Sequence, residues 1–117
     1  MSVIVIVLEK DTYSSVSAVK LHRALGVSLQ DIKERWVSGD PILEEEIFEG
    51  DYQQHAALIR AILKVINEEK LTAEFYEIPY GECCVGNMKL DTWRIDAALV
   101  EGILLAADEE IERQLDN

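Results

Sequence analysis

Val3-Ile4-Val5-Ile6-Val7-Leu8 is an unbroken apolar run, β-branched at every position but the last. Branching at Cβ stiffens the side chain and favours the extended backbone. A strand with one wet face would alternate with polar residues; this one does not, so both its faces must be covered. The fold therefore needs material on two sides of one strand. Six residues fall far short of the roughly 20 that a membrane helix requires. The run follows Met1 with no basic region before it and no small-residue cleavage site after it, so the reading expects neither a signal peptide nor a membrane segment.

The rest of the chain has helical and extended stretches in turn. Ser14 to Leu25 places Val16 and Val19, with Ala18 and His22 near them, at helical spacing, and Gly26 is a natural stop. Ser28 suits an N-cap, with Asp31 three residues on. Leu29, Ile32, Trp36 and Val37 form the next apolar stripe, ended by Gly39-Asp40-Pro41. A short strand is expected over Ile42 to Phe48, although Glu44, Glu45 and Glu46 interrupt it. Asp51 and Gln54 open a helix that runs to Glu69, with a stripe (Ala56, Ile59, Leu63, Ile66, widened by Leu58, Ile62 and Val65) broad enough to predict deep burial. Leu71 to Ile78 alternates as a strand does, closed by Pro79 and Gly81. After a loop over 80–90, Asp91 caps a predicted last helix, Thr92 to Leu115, with Trp93, Ala97, Val100, Leu104, Ala107, Ile111 and Leu115 in one row and Ile95, Leu99, Ile103 and Ala106 beside it.

At 117 residues, 49 % of them apolar and 29 % charged, the chain suits one domain over 1–117 rather than a disordered or low-complexity segment. Within it, 3–79 forms the core unit and 91–115 an added amphipathic helix. The expected class is α+β: a three-stranded sheet in β-α-α-β-α-β order plus that C-terminal helix. Twenty-three acids against 11 bases give a net charge of −12. Nucleic acid and anionic membrane surfaces are poor partners for such a chain. The two cysteines are adjacent, Cys83 and Cys84, and neighbours rarely bridge. A reducing cytoplasm is the simplest compartment.

With Ala18-Val19-Lys20, Arg23, Gly26-Val27-Ser28-Leu29, Ile32-Lys33, Val37 and Pro41 in place, residues 3–78 resemble the C-terminal domain of the bacterial ribosomal stalk protein, a fold shared with the Clp protease adaptor. That family has a basic helix, a Gly-hydrophobic-Gly-Leu turn and a lysine on its second helix. Here Ser28 stands for the second glycine, and Gln30 where a lysine is common. The resemblance implies an adaptor or translation-associated module with Lys20, Arg23 and Lys33 on its binding face.

The residues themselves point to a different surface. Asp40, Glu44, Glu45, Glu46, Glu49 and Asp51 are six carboxylates in twelve positions with no base among them. Such a run either docks a basic partner, speeding encounter and fixing register, or is a solvated edge strand whose charges discourage sheet-to-sheet pairing. Asp108, Glu109, Glu110 and Glu112 read as the wet side of the last helix. Cys83, Cys84, His22 and His55 lack the spacing of a metal site, and a helical His22 reads as a partly buried core residue. No phosphate loop, nucleophile elbow or metal motif occurs. The sequence therefore predicts a non-enzymatic, acidic protein-binding domain that uses no cofactor, with Glu44, Glu45, Glu46, Glu49 and Asp51 on its binding face. An inhibitor or immunity-type protein masking a basic partner such as a nuclease toxin fits that reading. The last helix, about 36 Å long at 1.5 Å per residue, is expected either to cover the second sheet face or to form a homodimer through Trp93, Val100, Leu104 and Ile111.

Overall fold

The structure, a computed structural model, describes residues 2–46, 52–79 and 93–115. Strand β1 (Ser2–Leu8) is followed by a single 3-10 turn, helix α1 (Ser15–Leu25), helix α2 (Leu29–Ser38), strand β2 (Leu43–Glu46), helix α3 (Tyr52–Glu69), strand β3 (Ala73–Pro79), strand β4 (Arg94–Ile95) and helix α4 (Ala97–Leu115). The sheet order is β2-β1-β3-β4, antiparallel at every pairing. The class is α+β. Among the described residues the sheet has four strands rather than the expected three, because Arg94–Ile95 pairs with Phe75 and Tyr76.

That strand also corrects the last helix. Trp93 and Ile95 fit a helical stripe by spacing, but an available edge on β3 takes Arg94 and Ile95 into the sheet. The helix starts at Ala97, and Asp96 caps it: the Leu99 amide donates to Asp96 Oδ1 at 2.8 Å. The expected cap, Asp91, lies outside the described residues.

Local signals set the other helix ends. Ser14 accepts from the Ser17 amide and Ser28 from the Asp31 amide, at 3.5 and 3.2 Å. Gly26 and Gly39 terminate α1 and α2 in the left-handed region, with φ of 72° and 77°, which glycine adopts without steric cost. His22 is half-buried and its Nδ1 lies 2.6 Å from the Val27 carbonyl. A carbonyl only accepts, so Nδ1 carries the proton and ties α1 to the turn that follows it.

Alternation along β1 divides the interior. Ile4, Ile6 and Leu8 face the helices and share one cluster with Leu21, Ile32, Trp36, Ile59, Ile62 and Phe75. Trp36 is fully buried, donates from Nε1 to the Glu9 carbonyl at 2.8 Å, and meets the Tyr13 ring edge-to-face at 5.2 Å. Val5, Tyr76 and Ile78 form a second buried cluster on the other face, with Val3, Val7 and Trp93 against it. The two-sided burial expected of β1 is present.

Helix α4 does not lie over that second face. Val100 and Leu104 enter the cluster formed by α1, α2, α3 and the inner sheet face. Once β4 has extended the sheet beyond β3, the chain turns back on the helical side and α4 seats beside α3.

Candidate functional site

The acid run divides at β2. Antiparallel partners share a face, so Glu45, opposite Ile4, points toward the helices, while Glu44, opposite Val5, points the other way. Glu45 pairs with His55 on the first turn of α3, both side chains largely shielded. Glu44 is exposed and, with Arg35, Asp40 and Pro41, lines a shallow depression. β2 is an edge strand: among the described residues, no strand pairs with its outer side. Glu46 sits opposite Val3 in register; Glu49 and Asp51 lie outside the described residues, as do Cys83 and Cys84.

The three basic candidates also separate. Lys20 is bonded to Glu69 at the end of α3, and that carboxylate holds its ammonium above the ordinary lysine range. Arg23 and Lys33 are exposed, with Lys33 Nζ 6.0 Å above the Tyr13 ring centre.

Of the four residues expected at a dimer contact, Val100 and Leu104 are 0 % and 1 % exposed inside the protomer's own core. Trp93 packs on the second sheet cluster. Ile111 is half-buried. Among the described residues, the large apolar side chains that α4 leaves in water are instead Leu99 and Leu105.

Asp108 is not the idle wet-face acid its spacing implies. It accepts from the Arg60 guanidinium, and the Tyr52 hydroxyl lies 2.8 Å from its Oδ1 and 2.9 Å from the Leu104 carbonyl. Desolvation raises the Tyr52 pKa first, and the bond to Asp108 adds to it, pushing it up to about 12. At Asp108 desolvation works against ionisation, but the bonds from Tyr52 and Arg60 outweigh it and lower the pKa below the ordinary carboxylate value.

Beyond this clasp α3 and α4 leave a solvent-open groove of about 790 Å³. Leu63, Ile66, Leu71, Ala97, Leu104 and Leu105 supply its apolar surface; Arg60, Lys64 and Lys70 stand on the α3 side and Glu101 on α4. The sequence reading missed it. Lys70 follows the last turn of α3, where a glycine is usual, and its φ is 54°. Among the described residues no group of three His, Cys, Asp or Glu side chains is placed to hold a metal ion, and no helix is long and apolar enough to cross a membrane. Comparison of the chain with protein-family models, with curated proteins and with solved structures gives no significant match in any of the three.

Proposed function

We propose that this chain is a non-enzymatic, cytoplasmic protein-binding domain whose acidic edge masks a basic partner, as an inhibitor or immunity-type protein does. The observation that carries the reading is β2. Three of its four residues are glutamates, it borders the sheet, and Glu44 projects into solvent with Asp40 nearby. The outer side of an edge strand offers unpaired amides and carbonyls to an incoming strand. Carboxylates beside it select basic side chains and accelerate their approach. Glu45 has a different part, since its bond to His55 anchors the strand to α3.

Capture from the native cell with immobilised protein, run in parallel with Glu44→Lys, tests this. The wild type should retain a basic protein that Glu44→Lys loses or binds with a slower on-rate and a flatter salt dependence. Equal capture by both, or capture of an acidic protein, removes the acidic edge from the function.

A second reading is an adaptor or translation-associated module that binds through the α1–α2 face. The exposure of Arg23 and Lys33 favours it, although Lys20 is engaged by Glu69. Reversing Arg23 and Lys33 to Glu should abolish capture on this reading and leave it intact on the first.

A further inference from the structure

We propose that the groove between α3 and α4 binds a single-chain amphiphile with an anionic head, its apolar chain along Ile66, Leu71, Ala97 and Leu105 and its head at Lys64 and Lys70.

Size selects the class of ligand. A groove of about 790 Å³ falls within the range of small-molecule sites. A three-turn helix, taken as a cylinder about 10 Å wide and about 16 Å long, occupies more than that and would rest on the rim. Six aliphatic side chains line the groove, with Asn67 beside the charged residues. Leu105, 60 % exposed on the α4 wall, is apolar surface that a bound chain would cover.

Charge selects the head. The whole chain carries −12, yet three of the lining residues are cations and only one, Glu101, is an acid. Arg60 is engaged by Asp108, and Lys64 only loosely by Glu68 at 3.9 Å. Lys70 has no ion pair among the described residues.

The backbone at Lys70 is the independent observation. The chain leaves α1, α2 and α3 through the left-handed region each time. Gly26 and Gly39 serve the first two, and Lys70 is the one described non-glycine residue with positive φ. A side chain is strained there. A lysine could complement the helix C-terminus from a neighbouring position without that strain. At the cap itself, Lys70 is exposed and lines the groove.

Lys70→Gly separates the two roles, because glycine relieves the strain while removing the charge. Calorimetric titration with dodecanoate, below its micellar concentration and at low salt, should give saturable one-to-one binding to the wild type. Lys70→Gly and Lys64→Gln should each weaken it by about tenfold, the effect of one charge-assisted contact. Leu105→Glu should abolish it, and decanol should bind at least tenfold more weakly than decanoate. Urea unfolding of Lys70→Gly should show stability at or above wild type, which keeps a lost affinity from being a lost fold. Absence of dodecanoate binding, equal binding by Lys70→Gly, or binding indifferent to the head group overturns the proposal. A concentration-dependent dimer in light scattering that Leu105→Glu dissolves assigns the groove to a second copy and overturns it as well.

Discussion

The hydroxyl of Tyr52, at the start of α3, lies 2.8 Å from Asp108 Oδ1, in the second half of α4. These residues are 56 apart in sequence, and their bond clasps the last helix to the domain. Arg60 completes the clasp from one side and the Leu104 carbonyl from the other. Tyr52→Phe leaves the ring in place and removes the hydroxyl alone. The expected loss is about 1.5–3 kcal/mol, the range for a hydrogen bond to a charged group, read as a lower urea midpoint with an unchanged slope.

The same clasp gives stability a defined dependence on alkali. The folded-state pKa of Tyr52 is raised to about 12, while an unfolded tyrosine titrates near 10. The folded chain therefore holds this proton more tightly. Its contribution is complete below about pH 10 and is lost as pH rises to about 12. Asp108 acts in the opposite sense: its lowered pKa contributes stability above the ordinary carboxylate range, lost as pH falls through the depressed folded value. Thermal melts across the alkaline range should show a steeper decline in the wild type than in Tyr52→Phe. Parallel curves would remove Tyr52 as the source.

Leu104 is 1 % exposed within a single protomer. Leu104→Ala is expected to destabilise the fold by about 2–5 kcal/mol, the range for a buried leucine that leaves a cavity. Because the loss is internal, it should be the same at every protein concentration. A penalty that grows as protein concentration rises would mark Leu104 as an intermolecular contact instead.

Gly26 and Gly39 have open space where a Cβ would stand, yet both have positive φ. Gly26→Ala and Gly39→Ala should each destabilise by about 1 kcal/mol through backbone strain alone. Lys70→Gly should move stability the other way. Denaturant midpoints for the three variants decide it, since a purely steric account predicts no change at either glycine.

Trp36 is buried, bonded to the Glu9 carbonyl and set edge-on to Tyr13. Trp36→Phe should cost about 2–3 kcal/mol, combining a lost hydrogen bond with a partly filled cavity. Emission from the folded wild type should be blue-shifted relative to the unfolded chain, and the variant should lose most of that shift.

What was legible in the sequence was what neighbours along the chain decide. Ser28 caps α2 because its hydroxyl reaches an amide three residues away, and Gly26 ends α1 because only the local backbone must turn left-handed. The apolar run of β1 had to be covered on both faces whatever surrounded it. Spacing could not decide between strand and helix at Arg94–Ile95, because both are satisfied by two residues and the choice rests with the β3 edge that receives them. Nor could it divide the acids. Glu44 and Glu45 are adjacent and chemically identical, and only the pleat of β2 against β1 sends one to solvent and the other to His55. The same holds for Val100 and Leu105, both apolar positions on one helix: the seat of α4 beside α3 buries the first and leaves the second on the wall of a groove. The cap at Ser28 and the left-handed turn at Gly26 are settled over a few bonds, so the sequence by itself determined them. Which face meets another element is settled by contacts between residues distant along the chain, and the tertiary structure alone decided it.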